Sequence, residues 1–193
     1  WDVDIRRMHP FQNNKTYLFE RAKETLGLLY ADHFPFRQYA SARGIRRSAI
    51  HQNLLERGAC FGEVAGWERA NWFLPADLVS EGNTPEYKYS WGRQNWFDFA
   101  AQEHLAVRQK AGFFDMSSFA KFRLEGKDAQ AVLQRIMAND VDVEPGRVIY
   151  GQWLNNSGGI EADLTVTRLT ETVFLLSLIP HLRAHETPMY RVC

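Results

Sequence analysis

Two runs with strand character, Val148 to Leu154 and Ile160 to Leu169, flank the loop Asn155-Asn156-Ser157-Gly158-Gly159. Asn and Gly tolerate positive φ, so a loop of this composition between two alternating runs predicts an antiparallel hairpin. Successive side chains of a strand point to opposite sides. Ile160, Ala162, Leu164 and Val166 therefore share one face, and Glu161, Asp163, Thr165 and Thr167 share the other. That polar face has two uses open to it. It is a solvated outer surface, or it is a pocket wall on which Asp163 accepts a proton or binds a protonated nitrogen. Alternation does not choose between them.

The remaining elements are short. Asn14 is placed to cap a helix from Lys15 to Tyr30, and Ser48 to cap one ending at Glu56, with Gly58 as its stop. Ala59 to Val64 reads as a strand. Pro75 to Pro85 reads as an exposed loop, and the loop region as a whole extends to residue 95. A helix is expected from Asp98 to Lys110, closed by Gly112, with Phe113-Phe114 opening an extended element. Ala120 to Leu124 alternates like a strand and turns at Gly126. Asp128 to Ala138 is helical, with Ala131, Leu133, Ile136 and Met137 as its apolar residues. After the hairpin, Thr170 to Thr172 turns into a strand from Val173 to Ile179. Short helices alternating with antiparallel hairpins give the class α+β.

Composition narrows the functional classes. The 193 residues are 45% hydrophobic and 24% charged, which supports a core and excludes overall disorder. Lys plus Arg and Asp plus Glu both number 23, so the chain lacks the basic excess of a general nucleic-acid binder. No apolar run reaches the roughly 20 residues of a membrane helix. With two cysteines and no signal-peptide pattern at Trp1, a soluble, intracellular protein is expected, and one cut from a longer polypeptide. Arg43 to Arg47 is read as a solvated basic loop. Cys60 is read as a buried inert thiol. Trp91, Trp96, Phe97 and Phe99 suit packing or a ligand platform. The chain holds no HExxH, paired CxxC or EF-hand loop; His181 and His185 alone have helix spacing, and no metal is expected. No GxGxxG or GxxxxGK[ST] loop is present, so a dinucleotide cradle is not expected within this chain.

Several ordered motifs go further. Ser48-Ala49-Ile50-His51, Gly58-Ala59 and Gly66-Trp67 are followed by Glu103 to Arg108 with Ala111 to Ser117. Ala138-Asn139-Asp140-Val141 comes next, then Tyr150, Leu154-Asn155, Gly158-Gly159-Ile160 and Asp163-Leu164. Together they resemble the aminomethyltransferase family, the T-protein of glycine cleavage. Asp2 to Arg7, Glu20 to Glu24, Gly62-Glu63, Gly66 to Arg69, Trp72-Phe73 and Gly92 to Phe97 resemble the two-part sarcosine and dimethylglycine dehydrogenases, in which an FAD oxidoreductase precedes a folate-binding unit.

The resemblance implies a partial aminomethyltransferase fold preceded by a helical linker segment. Residues 1–47 would be the central segment of the oxidoreductase and 48–193 the N-terminal part of the folate-binding unit. Ser177-Leu178-Ile179-Pro180 and the tail to Cys193 depart from the family pattern, which makes 177–193 an atypical tail. The parent would oxidise an N-methyl amine at FAD and pass the one-carbon group to tetrahydrofolate. This chain alone would be inactive. Asp163 matches the family's pocket aspartate and is the implied catalytic residue; Tyr150, Asn155 and Asp163 are the implied folate-binding residues. Tyr150 would be a pocket wall, and Asn155 more a turn former. Asp115 and Asn139 also match motifs, with capping and turn bonds as their expected work. The implied partners are folate, the amine substrate and the FAD domain of the same polypeptide, with neither nucleic acid nor membrane. The implied location is the bacterial cytoplasm or the mitochondrial matrix. A regulatory relative without catalysis, resembling the regulatory subunit of pyruvate dehydrogenase phosphatase, and an aromatic-rich binding module are the other classes.

Overall fold

Asn14 turns its side-chain oxygen to the Tyr17 N–H at 2.9 Å and starts α1, Lys15–Gly27, in a computed structural model that describes residues 12–178. The chain divides by packing into two units, which among the described residues are 12–117 and 118–178.

In the first unit, α2 runs His51–Glu56. The expected Ser48 cap is not made: Ile50 occupies the cap position without a side-chain bond, and Ser48 instead accepts the His51 N–H through its backbone carbonyl. Gly58, at φ +83°, makes the reversal into β1, Ala59–Val64. Ala65 and Gly66 both take positive φ and return the chain as β2, Trp67–Phe73, antiparallel to β1. Such a two-residue turn matches the strand twist. The ribbon packs on a buried centre of Cys60, Trp72 and Leu74.

The expected loop after Leu74 contains a short helix, α3, Ala76–Ser80. Pro75 stands at its cap with φ −54°, a value already close to helical, so proline opens this helix. Leu78 and Val79 then reach the Trp72 centre. The next helix, α4, spans Phe97–Gln109. Phe113 and Phe114 do not begin a strand: both are exposed and no strand pairs with them. An isolated extended segment leaves its backbone groups to water and has no ladder to join.

The second unit is a four-stranded antiparallel sheet in the order β3-β6-β5-β4, with one helix. Its elements are β3 (Ala120–Glu125), α5 (Ala129–Ile136), β4 (Val148–Leu154), β5 (Ile160–Arg168) and β6 (Val173–Leu178). α5 buries Ala129 and Leu133, and Met137 just beyond it, against Ala162, Leu164, Val166, Phe174, Leu176 and Leu178. The residues at i, i+4 and i+8 set the inward stripe. Ala131 lies off that stripe and is exposed, contrary to expectation. Ser177 and Leu178, assigned from sequence to an atypical tail, are part of β6, and Leu178 belongs to the core. His181 and His185 lie outside the described residues.

The inner face of β5 ends in Arg168, a buried cation. Its guanidinium donates to Asp142 Oδ1 at 2.9 Å, Val143 O at 2.8 Å and Gln130 Oε1 at 2.8 Å. That network joins the start of α5 and the 142–143 loop to the end of β5.

Candidate functional site

The hairpin of β4 and β5 forms as the sequence requires, and its turn shows where Asn155 works. Asn155 Oδ1 accepts the N–H groups of Ser157 and Gly159, both at 2.9 Å, and Nδ2 donates to Glu161 Oε1 at 3.1 Å. Side-chain bonds to the backbone two and four residues on are the natural use of an asparagine in a turn. Gly158 carries the positive φ, +80°. Gly159 is not among the positive-φ glycines.

Leu154 pairs with Ile160 while Trp153 pairs with Ala162, so Glu161 is the extra residue of a β-bulge. Beyond the bulge Gln152 faces Asp163, and Tyr150 faces Thr165. Cross-strand partners project to the same side of a sheet. Tyr150 and Gln152 therefore stand with Asp163 and Thr165 on the face away from α5.

Asp163 is the meeting point. The Tyr150 hydroxyl donates to Oδ2 at 3.0 Å, and Gln152 Nε2 approaches Oδ1 at 3.4 Å. Its hydrogen bond to Asp163, then loss of solvent and the nearby negative charge, raise the Tyr150 phenol above its ordinary value. Asp163 is half-buried and Tyr150 exposed, so a ligand arriving at this face can reach both. A carboxylate with two donors on one flank keeps acceptor capacity on the other. It can hold a positive charge or exchange a proton.

The structure thus brings Tyr150 and Asp163 together and places Asn155 in the turn. Gln152 was not singled out from sequence; only the bulged register reveals it. Asn139 donates through Nδ2 to the Tyr150 carbonyl, and Asp115 Oδ1 accepts the Ser117 N–H at 3.0 Å. The Asp115 bond is the local turn bond expected of it; the Asn139 bond is not, since it reaches β4 eleven residues on.

Elsewhere the chemistry-bearing residues are committed to structure. Cys60 is buried, and burial pushes its thiol up to about 11. Trp72, Phe99, Tyr87 and Trp96 pack as a cluster, with Trp72 and Phe99 stacked at 5.7 Å. His51 lies against Phe61 with ring centroids 4.2 Å apart, and burial, then Arg47, holds its pKa down. The basic loop is not simply solvated: Arg43 Nε donates to the buried Glu68 at 2.9 Å, and Glu68 also accepts the Gly44 N–H at 2.6 Å. Among the described residues no cluster of His, Cys, Asp or Glu could hold a metal ion. None of the described helices is long and apolar enough to cross a membrane.

Comparison with known proteins sorts these features by ancestry. Residues 50–187 match the family described as GCVT N-terminal domain, and residues 1–48 the FAD dependent oxidoreductase central domain. The former runs past Leu176, where resemblance was expected to end. The chain is 46% identical to 4-methylaminobutanoate oxidase (formaldehyde-forming) of Paenarthrobacter nicotinovorans, covering 97% of the chain and 22% of that protein. It is 34% identical to mouse mitochondrial sarcosine dehydrogenase, covering 93% and 22%. It is also 32% identical to the mouse mitochondrial pyruvate dehydrogenase phosphatase regulatory subunit, covering 91% and 20%. The chain therefore spans about a fifth of the length of these curated relatives. The crystal structure of aminomethyltransferase T from Bartonella henselae shares the fold, with TM-score 0.54 and 24% identity over 77% of this chain and 35% of that one.

Proposed function

Because this chain belongs to the GCVT N-terminal domain family and carries an FAD dependent oxidoreductase central segment ahead of it, we propose that it is part of a flavoprotein that oxidatively demethylates a small N-methyl amino acid. Sarcosine and dimethylglycine are the substrates the motifs favour. The similarity to 4-methylaminobutanoate oxidase adds a longer N-methyl amino acid to that class. In this proposal residues 1–47 close the oxidoreductase unit and 48–193 open a folate-binding unit that captures the released carbon. The whole protein would work in the bacterial cytoplasm or the mitochondrial matrix.

The observation that carries the proposal is Asp163, held by Tyr150 and approached by Gln152 on an outward sheet face. A carboxylate flanked by a phenol and a carboxamide suits a ligand rich in N–H donors, as a reduced pterin is. Tetrahydrofolate would supply the amine nitrogens that take up carbon at the formaldehyde level. Asp163 would bind and orient those nitrogens, stabilise positive charge near them and move a proton to or from one of them. Tyr150 would form a wall and keep the carboxylate turned outward. Asn155 would act on the ligand only by shaping the turn. FAD would accept the two electrons of N-methyl oxidation in the parent; this chain, with no GxGxxG, would not oxidise the amine alone.

Asp163→Asn in the complete polypeptide tests this. Flavin reduction by the amine should be spared, while capture of carbon by tetrahydrofolate slows by about one to two decades, the equivalent of roughly 1.5–3 kcal/mol for one charged hydrogen bond. Free formaldehyde should rise accordingly. Unchanged partition of the carbon would make Asp163 an ordinary strand residue. A regulatory role without catalysis is the second reading, favoured by the similarity to the phosphatase regulatory subunit. Titration with tetrahydrofolate separates the two, because only the first requires binding that depends on Asp163.

A further inference from the structure

Beside Tyr150 and Gln152 the outer edge of the second unit's sheet is closed. β4 is the last strand of that sheet, so β5 pairs with only one of its backbone edges. Carbonyls on the other edge are left to water or to another chain unless something nearby takes them. The segment that leaves α5 does so. Met137 bridges to Trp153, the Ala138 N–H donates to the Gln152 carbonyl at 2.8 Å, and Asn139 Nδ2 donates to the Tyr150 carbonyl. The two carbonyls it takes belong to the two residues whose side chains reach Asp163.

This segment is itself anchored in the core. The Met137 N–H donates to the Leu133 carbonyl at the end of α5, and both side chains are buried. Two residues past Asn139, Val141 is fully buried, and its N–H donates to Gln134 Oε1 at 3.0 Å. Gly151 lies between the two bonded carbonyls and is buried as well. A Cβ there would stand 3.1 Å from Met137 Cε and 3.3 Å from Asn139 Nδ2. Glycine at this position lets the segment approach β4 closely.

We propose that Asn139 is a positioning residue of the Asp163 site, an inference that rests on the proposed function. Asn139 is exposed and adds little packing; its bond holds the Tyr150 peptide. From that peptide the Tyr150 side chain crosses a diagonal of the ladder to set its hydroxyl 3.0 Å from Asp163 Oδ2. A contact made across a diagonal depends on the twist of the strand that carries it, and an unheld edge strand is free to twist. Groups one bond removed from a ligand set how well the groups that touch it are aimed. Asn139 thus reaches the ligand only through Tyr150 and then Asp163.

A double-mutant cycle in the complete polypeptide tests the assignment. Asn139→Ala should slow capture of carbon by tetrahydrofolate about three- to tenfold, the worth of one neutral hydrogen bond. Asn139→Ser, which keeps a donor of shorter reach, should fall between alanine and the parent. On a Tyr150→Phe background, Asn139→Ala should cost less than about twofold, because the hydroxyl it serves is gone. Phenolate absorbance of Asn139→Ala, measured against Asn139→Ala with Tyr150→Phe, should place the Tyr150 titration nearer the ordinary value of about 10. Equal slowing with and without the Tyr150 hydroxyl overturns the proposal, since a segment that merely closes the sheet edge acts without it. So does a Tyr150 titration that Asn139→Ala leaves where it was. If the parent polypeptide captures no carbon on tetrahydrofolate, the proposed function fails, and a Tyr150 titration moved by Asn139→Ala still supports the positioning role.

Discussion

The Tyr150 hydroxyl reaches Asp163 Oδ2 at 3.0 Å across a diagonal of the β4–β5 ladder, since the register partner of Tyr150 is Thr165 and that of Asp163 is Gln152. A long aromatic side chain is what spans such a diagonal.

The first prediction follows from that contact. The Asp163 hydrogen bond holds the Tyr150 phenol protonated to higher pH than an isolated tyrosine. Asp163→Asn removes the charge, so the Tyr150 pKa should fall back toward about 10. Phenolate absorbance measured against a Tyr150→Phe chain isolates this one group. An unchanged titration would mean that the pair does not form in solution.

Gly158 is the second. Its φ of +80° lies in the left-handed region, and a Cβ there would meet no atom within 4 Å. The penalty of Gly158→Ala is therefore backbone strain without a clash, about 1 kcal/mol. Gly159→Ala should cost less, because Gly159 is not among the positive-φ glycines. Urea unfolding of the two variants checks the order.

This turn also shows how far sequence alone could see. Asn and Gly between alternating runs specify the hairpin, and alternation correctly sets Asp163 on the polar face of β5. What meets Asp163 was not legible. Counting back from the turn without a bulge sets Gln152 opposite Ala162; the extra residue Glu161 shifts the pairing by one and brings Gln152 to Asp163. Nor does local composition show that Arg43 will find Glu68, 25 residues away, or that Arg168 will be buried against Asp142 and Gln130. Those partnerships are made by tertiary packing. α3 is hidden for a different reason: the Pro and Gly content of its stretch signals a loop, yet Pro75 stands at the cap of a helix, just outside its first turn.

Glu68 carries the third prediction. It is buried, and burial by itself would raise its carboxyl; the Arg43 hydrogen bonds, the Gly44 N–H and the Arg43 charge outweigh that and hold it below the usual value. A lowered folded-state pKa stabilises at neutral pH, and the contribution is lost as pH falls from the ordinary glutamate value of about 4.3 toward the folded one. Glu68→Gln should destabilise by about 2–3 kcal/mol at pH 7, the moderate end for a broken buried pair, because Arg43 is partly solvated. Its acid limb should also be flatter than that of the parent chain.

Glu103 should behave in the opposite way. On α4 its carboxylate accepts the Phe73 N–H at 2.7 Å, and burial outweighs that bond and raises its pKa. Between the unfolded and folded values the folded state binds the extra proton, so stability declines as pH rises through that interval. Above it the chain carries the cost of a half-buried charge with one backbone donor. Gln keeps an oxygen for Phe73 and removes the charge. Glu103→Gln should therefore be neutral to stabilising at pH 7, and it should narrow the difference in stability between pH 4 and pH 7. Urea unfolding across that range, run beside Glu68→Gln, sets a half-buried glutamate against a buried one with the opposite sign. A loss for Glu103→Gln as large as that for Glu68→Gln would show that the Glu103 charge is itself compensated in the folded chain, and that burial is not the effect that wins there.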